Sequence, residues 1–267
     1  MILFDSHCHL DDDAYKNDLD STFQRARQAG VSGFMLVGIH ENSSKRVISI
    51  AESHNDCFCS VGVHPHDSKR CTEKTFITMQ DLAKHPKVHA WGEIGLDFNR
   101  MFTPQEIQEK WFIHQLEIAR HLDLPVIFHE RDTSGRLITI LKSHPVKKGV
   151  IHCFSGSSSD LDAYLDLGLT IGITGIITIA GRGEALRKMV PRIPINRILI
   201  ETDAPYLTPE PQKRKTRRNE PAFIQSTLMT LAKVRHENPE HLANVIWNNT
   251  CSLFNITRSP QTHKDVL

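Results

Sequence analysis

What most restricts the fold of this chain is a succession of eight short apolar runs. They begin near Ile2, Gly33, Phe58, Val88, Pro125, Gly149, Leu169 and Arg197. Gly33-Phe34-Met35-Leu36-Val37 and Pro125-Val126-Ile127-Phe128 are representative. Short continuous apolar runs bounded by turn residues suit strands buried on both faces, as in a parallel sheet. Amphipathic segments separate them. Leu19, Phe23 and Ala26 keep helical spacing and stop before Gly30, a residue suited to the left-handed position that ends a helix. Ile107, Trp111, Gln115, Ile118 and Leu122 mark a longer helix entered through Thr103-Pro104, where proline suits the first turn. Leu161, Tyr164, Leu165 and Leu167 precede Gly168 in the same manner. Two further helices are expected over 223–236 and 239–254. Strand and helix alternating every ~20–35 residues match a repeated βα unit. The expected fold is therefore α/β: a (β/α)8 TIM-type barrel of parallel strands, with a site at the C-terminal end of the barrel. A doubly wound open sheet competes, but no GxGxxG or Walker A sequence supports it. No linker rich in Pro, Gly or Ser interrupts the pattern. Residues 1–255 are expected to form one barrel, followed by a polar tail over 256–267.

A chain of 267 residues that is 39% hydrophobic can bury a large core. Its formal net charge of +1 names no partner, so attraction to a polyanion would need a local patch. No apolar stretch approaches the ~20 residues that span a bilayer, and Asp5 interrupts the first run. The six cysteines form no CxxC pair. Reduced thiols, a cytoplasmic location, no membrane and no obligate protein partner are the expectations.

Histidines and carboxylates recur where the apolar runs end. His7 and His9, one residue apart, share a strand face. His64 follows the third run, in Gly62-Val63-His64-Pro65-His66, and Pro65 turns the chain there. Glu93 lies inside an otherwise apolar strand, which is costly unless its charge is compensated by cations or by Arg100 or Arg131. Asp97, in the same run, could accept a hydrogen bond from a ligating histidine. His129 and His152 close successive runs. Glu201 and Asp203 repeat the two-residue spacing on the eighth strand, where like charges repel without a cation or a shared proton. Imidazole nitrogens and carboxylate oxygens gathered in this way suit a divalent metal. The charge run Lys213, Arg214, Lys215, Arg217 and Arg218 follows the eighth strand, in position to contact phosphates.

The motifs Asp5-Ser6-His7-Cys8-His9, Gly62-Val63-His64-Pro65-His66, Gly92-Glu93-Ile94-Gly95-Leu96-Asp97, His152-Cys153-Phe154-Ser155-Gly156 and Glu201-Thr202-Asp203-Ala204-Pro205-Tyr206-Leu207 together resemble the TatD family of metal-dependent hydrolases and deoxyribonucleases. Arg218-Asn219-Glu220-Pro221 and Asn248-Asn249-Thr250 resemble its late motifs. The resemblance runs in order from about Ile2 to Asn255. It implies a barrel of the amidohydrolase type with two divalent cations per chain (Mg2+, Zn2+ or Mn2+). His7, His9, Glu93 and Asp203 would hold one; Glu93, His129 and His152 would hold the other. The segment between Gly181 and Pro194 matches no motif.

The reaction expected from these residues is hydrolysis of a phosphodiester by a metal-activated water; the resemblance implies DNA as the polymer and favours a 3′ to 5′ exonuclease on single strands. Asp203 is the candidate base, His64 a phosphate contact or proton donor, and Glu201 a group that orients ligands or shares the proton. Two alternatives use the same fold: an esterase or amidase of a small molecule, and a D-aminoacyl-tRNA deacylase. A non-catalytic protein with a structural metal is a third reading, opposed by the mixed N/O donor set.

Overall fold

The structure, a computed structural model, describes residues 1–257. From residue 258 on, the expected polar tail lies outside the described residues. Eight strands follow one another in the sheet in chain order: β1 (Leu3–Cys8), β2 (Val31–Val37), β3 (Cys57–Val61), β4 (Val88–Asp97), β5 (Val126–Arg131), β6 (Gly149–Ile151), β7 (Thr170–Ile173) and β8 (Ile198–Ile200). Between and after them lie α1 (Leu19–Gln28), α2 (Glu41–Ser53), α3 (Glu73–Leu82), α4 (Gln105–Leu122), α5 (Arg136–Ser143), α6 (Ser158–Asp166), α7 (Glu184–Met189), α8 (Ile224–Arg235) and α9 (Pro239–Leu253). This is the strand succession of a (β/α)8 barrel, not the reversed order of a doubly wound sheet.

The local causes are those of the sequence. Gly30 takes φ 91° just past α1, and Gly168 takes φ 77° just past α6. Ser157 and Asp160 exchange side-chain and backbone hydrogen bonds at the start of α6, as do Thr72 and Thr75 at α3. These contacts satisfy orphan N–H groups of the first turns. Asn238 accepts from Glu240 and His241 ahead of Pro239, which needs no donor at that position. One boundary shifts: Pro104 stands just before α4 instead of in its first turn.

Contacts divide the chain into two compact units, 36–171 and 1–35 with 172 onward. In the 36–171 unit β4 pairs in parallel with β3 and with β5, and β5 continues to β6. Helices α2 and α4 cover β3 and β4. Trp111 packs on Phe76 at 5.0 Å, and Phe112 meets Phe128 at 6.1 Å. In the other unit α9 packs on β1 and β8. Trp247 lies 5.5 Å from Phe4, and Phe23 of α1 stands edge-on to Phe34 at 5.2 Å. A parallel bridge, Cys8↔Ala204, joins the end of β1 to the segment after β8. The strands are buried along almost their whole length, which is why their sequences are continuous apolar runs.

Candidate metal centre

In the 36–171 unit the site is built around Glu93. Gly95, two residues along β4, takes φ 149°, and a Cβ there would run into the carbonyl oxygen of His129. Only glycine lets the two strands approach this closely. Glu93 Oε1 then lies 2.7 Å from His129 Nδ1, 3.7 Å from His64 Nε2 and 4.0 Å from His152 Nε2. Three imidazoles thus surround a carboxylate that is 3% exposed. Arg100 and Arg131, the alternative counter-ions, are exposed at the surface.

Asp97, at the end of β4, braces this cluster from behind. Its Oδ2 is 3.2 Å from His129 Nε2 and 2.8 Å from His66 Nε2, and its Oδ1 accepts the N–H groups of Asn99 and Arg100. Burial works against the Asp97 anion, but the bonds from His129, His66 and Arg100 prevail and hold the carboxyl well below the usual range. Burial likewise opposes charge on His129; Asp97 and Glu93 overcome it and raise its pKa to about 9. His64 has a different environment. Its Nδ1 accepts the backbone N–H of His66 at 3.1 Å. A main-chain N–H can only donate, so the proton of neutral His64 sits on Nε2.

Two glutamines of α4 hold the loops that carry these groups. Gln115 accepts the Val63 N–H at its Oε1 and donates from Nε2 to Val63 O, pairing with the residue before His64 as a neighbouring strand would. Gln108 does the same for Asp97 N and O and also donates to Thr103 O. A polar residue on the apolar stripe of α4 was the available signal: Gln115 sits in line with Trp111 and Ile118.

The second cluster belongs to the other unit. His7 Nε2 and His9 Nε2 are 3.1 Å apart. Asp203 Oδ1 lies 3.7 Å from the first and 3.4 Å from the second. Main-chain bonds set this triad: Asp203 N donates to His7 O and His9 N to Ala204 O. Strand alternation accounts for His7 and His9 but not for Glu201 and Asp203. β8 stops at Ile200, before either residue, and Asp203 takes φ 57°, so the alternation of a strand does not govern the pair. The Glu201 carboxylate is fully buried, 3.4 Å from Ser6 Oγ. A Cβ on Gly172 would lie 2.7 Å from that carboxylate, so its space exists only because residue 172 has no side chain.

Asp5 is a further part of this unit that its motif does not explain by itself. Its carboxylate accepts Thr202 N at 2.9 Å and Thr202 Oγ1 at 2.5 Å, tying β1 to the segment that carries Asp203. Burial drives its pKa up to about 7, against the Thr202 and His7 hydrogen bonds, with Glu201 adding to the rise. Asn219 donates to Thr202 O and Tyr206 O and so fixes the same turn from the late motif. An acid within the first apolar run was the only sequence signal for Asp5; nothing local marked Asn219 as the residue that holds the Thr202 and Tyr206 carbonyls.

Both clusters suit a divalent cation. Ligand atoms about 2.1 Å from one ion can be at most about 4.2 Å apart. The distances within the His7–His9–Asp203 triad, 3.1 to 3.7 Å, meet that condition. Around Glu93 Oε1, the nitrogens of His129, His64 and His152 at 2.7, 3.7 and 4.0 Å also lie within that limit of it. The donors are imidazole and carboxylate, with no thiolate. Cys8, beside the triad, points its Sγ to Met35 O instead. Paired thiolates, the signature of a closed structural zinc site, are missing from both clusters.

The basic segment is divided in use. Lys213, Arg214, Lys215 and Arg217 are exposed. Arg214 reaches Glu210 at 3.2 Å. Arg218 is committed to structure: its guanidinium donates to Ala14 O, to both oxygens of Asp18 and to Glu220, and lies 5.0 Å over the Tyr15 ring. Arg25 joins the same acids. Arg218 therefore fastens the loop to α1.

Known proteins share this design. The model of the family described as TatD related DNase matches residues 4–255. A Rahnella protein named 3'-5' ssDNA/RNA exonuclease TatD is 41% identical over 94% of this chain and 98% of its own length. A Klebsiella pneumoniae protein of the same name is 41% identical over 95% of this chain and 98% of its own. Among solved structures, a TatD homologue from Escherichia coli K12 superposes with a TM-score of 0.88 at 32% identity, covering 95% of this chain and 98% of that one. A TatD family hydrolase from Entamoeba histolytica does so with a TM-score of 0.87 at 26% identity, covering 96% and 99%. With its barrel, its ordered motifs and this extent of likeness, the chain belongs to the TatD related DNase family.

Proposed function

We propose that this TatD-type hydrolase removes nucleotides from the 3′ end of single-stranded DNA, with residues 1–255 acting as one catalytic domain. The observation that carries this reading is the donor chemistry of the two clusters, imidazoles meeting carboxylates at ion-holding distances, in a chain 41% identical to a relative named as a single-strand exonuclease. Two divalent cations fit the donors. His7, His9, Glu93 and Asp203 would hold one, and Glu93, His129 and His152 the other, with Glu93 shared. Cations held there would supply Lewis acidity toward the phosphate and the attacking water. Asp203 takes the proton of that water. His64 contacts the phosphate by donating a hydrogen bond from Nε2–H, the role its tautomer suits better than ligation, and the departing oxygen takes its proton from solvent. Asp97 keeps His129 aligned through Nε2. Glu201, bonded to Ser6 one residue before His7, is a positioning group rather than a proton carrier. Lys213, Lys215 and Arg217 meet the backbone of the strand, with Arg214 beside them.

Free thiols at all six cysteines accord with a cytoplasmic location. Among the described residues, no helix is long and apolar enough to cross a membrane.

The test is a chelate-and-restore assay on end-labelled single-stranded DNA, double-stranded DNA and RNA, with metals added back one at a time. Stepwise release of mononucleotides from the 3′ end of single strands is expected. Turnover undiminished by chelation would overturn the reading. Release of free amino acid from charged tRNA, or faster turnover of small esters, would favour the competing activities. With three basic side chains on the strand, the log–log salt slope of binding should be near about −2. Binding indifferent to salt would remove the loop from the interface.

A further inference from the structure

Resting on the nuclease reading, we propose that Phe102 is a stacking platform for a base of the single-stranded substrate, a binding subsite that phosphate chemistry alone would not need. Phe102 is 59% exposed and its neighbour Met101 is 45% exposed. They lie in the loop that leaves β4, the strand of Glu93 and Asp97. The ring stands edge-on to His66 at 4.9 Å, and His66 lies 4.4 Å from His64 and 2.8 Å, through Nε2, from Asp97.

The loop holds this ring outward by design. Asp97 Oδ1 fastens its start through the N–H groups of Asn99 and Arg100. Thr103, directly after the ring, is fully buried: its hydroxyl donates to His66 O, and its carbonyl accepts from Gln108. Met101 takes φ 50°, a left-handed turn that reverses the chain just before Phe102. A lone exposed apolar residue is ordinary on a flexible loop, but here both flanks are bonded and the ring is still outside.

Beside it, Met101 and Pro104 line an open concavity of about 720 Å³ with Glu106, Glu109 and Arg136. That volume falls within the ~300–1,000 Å³ of ligand sites. Its chemistry rejects phosphate. Arg136 is held bidentately by Glu109 at 2.9 and 2.6 Å, and Glu106 adds a second carboxylate to the wall. A flat, uncharged nucleobase suits an apolar ring and such a wall; a phosphate does not. Stacking accepts every base, because each has a π-face.

The test measures binding of a 5′-labelled oligothymidylate in chelator, where no hydrolysis occurs, by full-length wild type, Phe102→Ala and Phe102→Trp. A stacked base contributes ~1–3 kcal/mol, so Phe102→Ala should weaken Kd by about 5-fold or more, and Phe102→Trp should match or exceed wild type. On an oligomer whose 3′-terminal nucleotides are abasic, wild type and Phe102→Ala should bind alike. Equal binding of the normal oligomer by wild type and Phe102→Ala overturns the proposal; so does an equal loss on the abasic one, which would mean that the ring merely shapes His66. With metal restored, Phe102→Ala should raise KM for DNA, and Phe102→Trp should restore it. A wild type that binds the oligomer yet hydrolyses nothing would reject the nuclease reading, while the binding contrast still decides Phe102.

Discussion

The two metal-type clusters reach similar donor distances by different means. In the 36–171 unit the groups are braced by side chains: Asp97 behind His129 and His66, Gln115 on Val63, Gln108 on Asp97. In the other unit the backbone does most of this work. The His7–His9–Asp203 triad hangs on the Cys8↔Ala204 bridge, two main-chain bonds and the left-handed turn at Asp203, with Asp5 tied to Thr202 beneath. The difference teaches where each will fail. A side-chain brace can be cut with the fold intact, whereas a backbone brace gives way together with local stability.

The largest effect should come from Glu93, a buried carboxylate that three imidazoles approach. Glu93→Ala should lower metal-dependent hydrolysis on the order of 10³-fold or more, equivalent to ~4 kcal/mol of barrier, with the protein still folded by circular dichroism. Retained turnover would remove Glu93 from the mechanism and undo the contrast at its centre. A smaller loss tests the side-chain brace itself. Asp97→Asn should reduce metal affinity by about 10–100-fold in calorimetric titration while shifting the unfolding midpoint little. Unchanged affinity would show that His129 needs no partner at Nε2.

The backbone-braced unit should answer the other way. Thr202→Val removes the hydroxyl that bonds Asp5 and should cost about 1–3 kcal/mol of unfolding free energy by denaturant titration, because a buried acceptor loses its donor. A stability loss no greater than that of Asp97→Asn would erase the distinction between the units. The smallest effect concerns the fastening of the basic loop. Asp18 has its pKa lowered from 3.8 to about 2, first by the Arg218 hydrogen bond and then by Arg25, against burial. A depressed acid stabilises the fold above its unfolded pKa and loses that contribution as pH falls through the folded one. The stability gap between wild type and Asp18→Asn should therefore be constant above about pH 5 and close between pH 4 and 2. A gap that persists at pH 2 would place the fastening elsewhere.

How far the sequence reached can be seen residue by residue. His7 and His9 were legible because their spacing matches strand geometry, and the structure indeed sets their Nε2 atoms 3.1 Å apart. The same rule applied to Glu201 and Asp203 failed. The strand ends at Ile200, before either residue, and Asp203 takes a left-handed φ, so strand alternation does not govern the pair. Arg218 looked like its basic neighbours in the run Lys213 to Arg218, yet Asp18, some 200 positions away in the chain, claims it. Gln115 was legible only as one of the residues marking the helix, and Gln108 not at all; their meaning lies in the Val63 and Asp97 backbones that they pair with.

By itself the sequence determined the eightfold strand and helix rhythm, the inventory of metal-type donors and the order of the family motifs. Those depend on local periodicity and residue chemistry, which a one-dimensional string carries in full. Only the tertiary structure decided which nitrogen of His64 holds its proton, which acid braces His129, and which basic side chains remain exposed on the loop. Each of those rests on a partner brought close by folding, and hydrogen bonds and charges act over a few ångströms of space, whatever the distance along the chain.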